Sequence, residues 1–488
     1  MRVLLVYSNQ AEHLLPAPPV GLSYVASATR AAGHEVRFLD LLPRGDARQA
    51  LGEALRAFDP EVVGLSVRNI DNVVHQRLTH HLGALARLVG LVRERSRATI
   101  VLGGPAISIL GPRALERLDA DFAVVGEGEV AFPALLAALR DGGGYAAIDG
   151  LCWREGGQVR ATAPARLARF GASGMEAWID WPAYEAKGGT WTIQTKRGCP
   201  MSCSYCAYPA IEGTATRRRP AAEVVDEIER VRARVGPRTF EIVDSTFNVP
   251  AEHALELCWE IVRRGLRVNL TAMGVNPRAT SPELFDLMRR AGFNSMMITP
   301  EAGNDTMLRN LRKGFDMADV RRTARLARES GIASAWFFML GGPGETRETV
   351  EETCAFVEEH LRWRRCLTIV MTGIRILPGT ELARAAVEEG YLAGDRDLAE
   401  PAFYLSPLVS EAWMLDRVNR AIARCPGIVH AAEEGGPIYG RLLPRALYRL
   451  GVAPPYWRFL PWLLRLPPLP TLRRLRPAVG GARSPGAA

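Results

Sequence analysis

Two separate series of short apolar runs, each alternating with helical periodicity, constrain this chain more than any other feature. The first has strand-like runs at Arg2 to Tyr7, Glu35 to Leu39, Glu61 to Ser66, Thr99 to Gly103 and Phe122 to Gly126, with helical stretches such as Leu22 to Ala32 and Val73 to Arg95 between them. Alternation of this kind belongs to α/β proteins with a mostly parallel sheet. Residues 1–140 are therefore expected to form one Rossmann-like, doubly wound domain. The second series, residues 191–395, has strands near Trp191 to Thr195, Thr239 to Val243, Arg267 to Met273, Asn294 to Thr299, Ala333 to Leu340 and Leu367 to Ile374. Between the first two of these, Val224, Val225, Ile228 and Val231 recur at i, i+1, i+4 and i+7 and mark one buried helical face. Six units fall short of the eight of a closed barrel, so a partial (βα)6 TIM-like barrel is expected, with its site at the carboxyl ends of the strands. Residues 141–190 lack sustained periodicity and read as a linker carrying one short hairpin across Glu155, Gly156 and Gly157. Residues 396–488 read as a mainly helical C-terminal region ending in a basic tail rich in Pro, Arg and Trp.

The formal net charge of +8 is confined to that tail, where the last 54 residues hold nine arginines and no Asp, Glu or Lys. Taking those nine from +8 leaves the body at −1, which argues against nucleic acid as a partner. No apolar run reaches the ~18 residues of a transmembrane helix, so the expectation is a cytoplasmic protein. The stretch Tyr448 to Pro477 interleaves Trp457, Phe459, Leu460, Trp462, Leu463 and Leu464 with arginines and prolines. Two roles stay open for it: peripheral contact with an anionic membrane, or packing of its apolar residues on the barrel with the arginines in water.

Eight cysteines in 488 residues are too few for a disulfide scaffold. Three of them, Cys199, Cys203 and Cys206, crowd into KRGCPMSCSYCAYP at spacing C-x3-C-x2-C, in the first loop of the barrel series. A closed zinc site would need a fourth ligand, and no second half-site is present. An iron–sulfur cluster normally takes four thiolates, so three would leave one iron open to a substrate or cosubstrate. Cys152, Cys258, Cys354, Cys366 and Cys425 are isolated and read as core packing.

This loop, with the aromatic Tyr205 before its third cysteine, resembles that of the radical S-adenosylmethionine (SAM) enzymes. The resemblance implies a [4Fe–4S] cluster on the three cysteines and SAM bound at its open iron. It covers Trp191 to Gly390 and extends to later loops. EIVDSTFN offers Asp244 and Ser245 toward the SAM amine; ITPEAGNDTMLRNLRKG offers Glu301 toward the ribose and Arg312 or Lys313 toward the carboxylate. In FMLGGPGET, Gly342 and Pro343 would let backbone approach the adenine. In the first domain, PPVGLSYVASATRAAGHEVRFLD, GLSVRNIDN, VLGGPAIS and VVGEGE resemble the cobalamin-binding domain that precedes many radical SAM cores. That implies cobalamin contacts at Ser66, Arg68, Asn69, Gly103, Gly104, Gly126 and Glu127, with Gly103 and Gly104 admitting a bulky ligand. The Asp-x-His-x-x-Gly pattern is absent, Ala106 stands where many relatives have His, and His75 sits on an expected surface helix. Cobalt is therefore expected to lack a protein imidazole, with Arg68 or Asn69 near it.

Together the resemblances imply methylation of an unactivated carbon, in which a 5′-deoxyadenosyl radical abstracts hydrogen and the substrate radical takes the methyl of methylcobalamin. An external donor such as flavodoxin or ferredoxin would supply electrons. Cyclisation or rearrangement without methyl transfer is the enzymatic alternative, and a non-catalytic cobalamin-binding regulator is the other. A small molecule, a peptide and a lipid all stay open as substrate. Tyr404 and Trp413, in the segment Phe403 to Ile422 expected to close the barrel, read as pocket wall or core.

Overall fold

Val3, Leu4, Leu5, Val6 and Tyr7 are all buried, as a strand covered on both faces requires, and they form the centre of the first sheet. The computed structural model describes residues 1–9, 16–432 and 443–465. Its first sheet comprises β1 (Arg2–Tyr7), β2 (Glu35–Asp40), β3 (Val62–Ser66), β4 (Thr99–Gly103), β5 (Phe122–Val124), β6 (Leu151–Glu155) and β7 (Gln158–Ala161), in the order β2-β1-β3-β4-β5-β6-β7. β1 to β5 are parallel. The chain leaves β1 toward β2 on one side and returns to β3 on the other, which opens a crevice beyond the carboxyl ends of β1 and β3. The sheet runs past residue 140, because the hairpin β6–β7, turning at Gly156 and Gly157, pairs antiparallel with β5.

The helical stretch expected from Val73 to Arg95 begins only at Leu82. Local side-chain bonds explain the difference. Asp71 Oδ1 accepts from Val73 N at 2.9 Å, Asn72 Oδ1 accepts from Thr79 N at 3.0 Å, and Asp71 bridges to His80. Asx turns of this kind offer the backbone an alternative to helix. His75 consequently lies on a single 3-10 turn.

The second sheet holds β8 (Trp191–Ile193), β11 (Phe240–Ile242), β12 (Leu270–Val275), β13 (Phe293–Glu301), β14 (Ala333–Leu340), β15 (Cys366–Thr372) and β18 (Ile428–His430), all parallel and in spatial order β18-β15-β14-β13-β12-β11-β8. The ladders β9 (Lys196–Arg197) with β10 (Arg217–Arg218), and β16 (Ile374–Arg375) with β17 (Phe403–Tyr404), flank it. Six expected units are joined by a seventh strand, β18, delivered by the helix Glu411–Arg424. β8 and β18 are the two edges, so the barrel stays open.

Alternation along these strands divides two surfaces. Trp191, Ile193, Phe240, Ile242, Leu270 and Ala272 join the large cluster that includes Val224, Val225, Ile228 and Val231 of the helix Ala221–Arg234. In the opposite row, Thr192, Glu241, Thr271 and Ser295 stand in register on four adjacent strands. Farther round, Met297, Ala335 and Leu367 pack on Trp457, with Leu460 and Leu464 beside them. Of the two roles for the tail, its described part up to Arg465 therefore packs on the barrel, fastened by Thr239 Oγ1 donating to Pro454 O at 2.5 Å. The remainder of the tail lies outside the described residues. Tyr404 is core, bonded to Glu389, and Trp413 is half-buried against Arg347. No helix among the described residues is long and apolar enough to cross a membrane.

Candidate active site

The cysteine loop follows β9 and is tied down by backbone. Cys199 N donates to Gly213 O at 3.1 Å, Cys206 N to Cys203 O at 3.2 Å, and Ser204 N to Leu311 O at 3.1 Å. Gly198 has φ 87°, and a Cβ there would lie 2.1 Å from Ala215 O, so the residue entering the loop has to be glycine. Cys199, Cys203 and Cys206 are all free thiols. Burial raises the Cys199 thiol and pushes Cys206 up to about 11; Cys203 adds a further rise to both, and Cys199 one to Cys206. Cys199 and Cys206, costly to ionise without a cation and sharing one loop with Cys203, fit a site that a cationic cluster would deprotonate. Among the described residues no group of three His, Cys, Asp or Glu converges on one ion. Ligands of separate irons need no such convergence, so the set suits a cluster better than zinc.

Of the residues expected around SAM, Tyr205, Glu301 and Lys313 come together. Lys313 Nζ donates to Tyr205 Oη at 2.9 Å, Tyr205 Oη donates to Glu301 Oε1 at 3.2 Å, and Lys313 Nζ lies 3.8 Å from Glu301. Burial raises the Glu301 carboxyl against the pull of Lys313. Its Oε2 is buried with no partner, and its φ of 69° is left-handed. An orphaned carboxylate oxygen on strained backbone at a strand end is a place where a donor is missing, which a ribose hydroxyl would supply. Arg312 departs from expectation: it points outward, half-exposed, to Glu381, and only Lys313 turns inward. Asp244 departs as well. Its oxygens accept from Thr195 N at 2.8 Å, Thr195 Oγ1 at 2.5 Å and the fully buried Lys196 Nζ at 3.0 Å, so it anchors the approach to the cysteine loop and is not free for an amine. Ser245 Oγ donates to Gly198 O at 3.2 Å. Gly342 is crowded by Met307 and Ile374, and Pro343 O accepts from Asn310 Nδ2 at 2.8 Å.

A cavity of about 1790 Å³, including its open mouth, lies between the first domain and the barrel. Ser66, Arg68, Gly103, Gly104, Gly126 and Glu127 line it; Asn69 does not. A Cβ on Gly103 would meet nothing within 4 Å, so the free space lies over that residue. Gly104 and Gly126 are different, since a Cβ would come within 2.6 Å of Val67 O and Ala165 O respectively. Chain packing on chain, not ligand approach, forbids side chains at these two positions. Glu127 is taken up by Arg197, Arg217 and Leu167 N. Among the described residues no histidine lines the cavity. His75 instead contacts Glu411 at 3.1 Å and stacks against Phe403 on the barrel. The barrel side of the wall is Thr190, Thr192, Gln194, Glu241, Val243 and Met273, joined by Tyr208 and Glu212 just beyond the cysteines. Tyr208, two residues past Cys206, lines the cavity together with Arg68 of the first domain.

Two family models match the chain: the radical SAM superfamily over residues 193–357 and the B12 binding domain over residues 11–136. The chain is a B12-binding radical SAM protein. This radical SAM protein is 27% identical over 452 residues to the tryptophan 2-C-methyltransferase of Streptomyces laurentii, covering 79% of this chain and 74% of that one. It is 26% identical over 347 residues to an uncharacterised methyltransferase of Pyrococcus horikoshii, covering 70% and 73%. Its structure superposes with a TM-score of 0.81 and 25% identity on the radical SAM methyltransferase TsrM of Kitasatospora setae, solved with cobalamin and a [4Fe–4S] cluster bound, covering 94% and 97%.

Sequence reading missed Glu241, Glu212 and Arg197. Glu241 Oε2 accepts from Thr190 Oγ1 at 2.5 Å, and burial raises its carboxyl against the pull of Arg68. Next to it Thr192 Oγ1 is buried without a partner. A charged residue within a three-residue strand whose neighbours are both core was the available signal, since buried carboxylates are rare without a task.

Proposed function

We propose that this protein methylates an unactivated carbon of a small-molecule substrate held in the shared cavity. The observation that carries this reading is that one cavity is lined both by Ser66, Arg68 and Gly103 of the first domain and by Arg197, Tyr208 and Glu212, which flank the cysteine loop. When bound, the cluster with SAM supplies one-electron bond cleavage and cobalamin supplies a methyl carrier. Cys199, Cys203 and Cys206 would hold the cluster. Glu301, oriented by Tyr205 and Lys313, would take a hydroxyl of SAM on Oε2. Arg68, which lines the cavity where no histidine does among the described residues, would contact the cobalamin. Glu241 and Thr192 offer a carboxylate oxygen and an unpaired hydroxyl to a substrate donor, while Val243 and Met273 supply apolar wall. None of these residues has to act as a base on carbon. Enclosure between two domains suits a small molecule better than a peptide or lipid. Cyclisation without methyl transfer is the weaker reading, because the relatives above are methyltransferases. Reduction of the cluster would call for an external donor such as flavodoxin or ferredoxin, a requirement that fits a cytoplasmic protein.

Anaerobically reconstituted protein is expected to bind about four irons and one cobalamin per chain and to cleave SAM under reductant. Cys203→Ala should lose the iron and the cleavage while keeping cobalamin. Cleavage retained by that variant would remove the cysteine loop from the reaction.

A further inference from the structure

A continuous buried network joins the loop after β5 to the cysteine loop. Arg197, the second residue before Cys199, donates through Nη1 to Glu127 Oε2 at 3.1 Å and through Nη2 to Glu129 Oε1 at 2.6 Å. Its Nε donates to Gln194 Oε1 at 2.9 Å, and Gln194 Nε2 donates to Glu212 Oε1 at 2.8 Å. Glu212 Oε2 closes the circuit by accepting from Gly198 N at 3.1 Å. The guanidinium is only 5% exposed and packs against the rings of Tyr24 and Phe170, which meet each other edge to face, at 4.6 and 4.2 Å from their centroids. Glu127 and Glu129 belong to the first domain, Arg197 and Gln194 to the barrel, and all four line the shared cavity.

We infer that Arg197 is a positioning residue that fixes the separation of the two cofactor sites by clamping the Glu127–Glu129 loop against the entry to the cysteine loop. The inference rests on reading the cavity and the cysteine loop as cobalamin and cluster sites. Only a planar fork reaches two carboxylates and an amide at once while packed against two rings, so lysine cannot replace it even with charge preserved. Misplacement by about 1 Å costs on the order of 10²-fold in a reaction between aligned partners. The fastening therefore acts on alignment rather than on the affinity of either site.

The test uses full-length holoprotein carrying one unpaired electron on the cluster and one on cobalt, with the spin–spin splitting read by electron paramagnetic resonance. In Arg197→Lys and Glu129→Gln the splitting should broaden or shrink relative to the wild type. Iron content and cobalamin affinity should stay within about twofold, because neither residue is expected to hold a cofactor directly. The effect should be smaller in Glu129→Gln, which leaves the pairing with Glu127. Splitting unchanged in both variants overturns the inference. Loss of iron in both variants also overturns it, making Arg197 part of the cluster loop's fold. Wild-type protein showing no splitting at all would overturn the cofactor reading itself and not the role of Arg197 alone.

Discussion

Glu345 shows how a single buried group sets a measurable property. Its carboxyl accepts from Gly341 N at 3.1 Å and Thr349 Oγ1 at 2.7 Å, holding the turn after β14, and burial pushes its pKa up to about 7. A carboxyl whose pKa is raised on folding binds more protons folded than unfolded, so stability falls as pH rises from its ordinary value near 4.5 through 7 and then levels off. Glu345→Gln should flatten that decline by up to about 3 kcal/mol in urea titrations across this range, and an unchanged slope would show the carboxyl is not responsible. At the SAM site, Glu301→Gln should raise the KM for SAM on the order of 10-fold or more while leaving iron content unchanged, since it weakens a charge-assisted bond worth about 1.5–3 kcal/mol. At this scale the cysteines were legible because all three lie in one short loop. The clamp was not, because Arg197 and Glu127 are 70 residues apart and neither is unusual in its own neighbourhood. Asp244 was legible as a polar residue at a strand end but not in its role, which depends on the fully buried Lys196.

Elements were readable where burial on both faces left continuous apolar runs, as in β1, β3 and β14. They were misread where local side chains outcompete helix, as Asp71 and Asn72 do ahead of Leu82. The strand β18 escaped because Ile428–His430 is too short to show alternation, and only its parallel pairing with β15 reveals it. The C-terminal segment is an element in the same sense. Trp457 fills the concave face beside Met297, Ala335 and Leu367, a position the tail's composition alone left undecided. Trp457→Ala should cost about 3–5 kcal/mol in chemical denaturation, whereas Trp462→Ala, at an exposed position, should cost within about 0.5 kcal/mol. Equal small losses for both would mean that the segment does not pack on the barrel in solution.

For the whole molecule, the fastening of the two domains matters more than either fold. Besides the clamp at Arg197, Arg375 of β16 donates through Nε to Asp71 Oδ2 at 2.7 Å, and both side chains are almost fully buried. Removing one partner of such a pair leaves a charge buried and unpaired, so Asp71→Ala should destabilise by about 3–5 kcal/mol. The two fastenings tie the first domain to the barrel, an arrangement that suits the proposed methyl transfer between groups bound on the two domains. The most direct measurement feeds host cells methionine carrying a trideuterated methyl group and compares extracts by mass spectrometry, with intact protein and with Cys203→Ala. A product that gains three deuteriums only with the intact protein is the expected result. A product that depends on the intact protein yet carries no deuterium would contradict methylation.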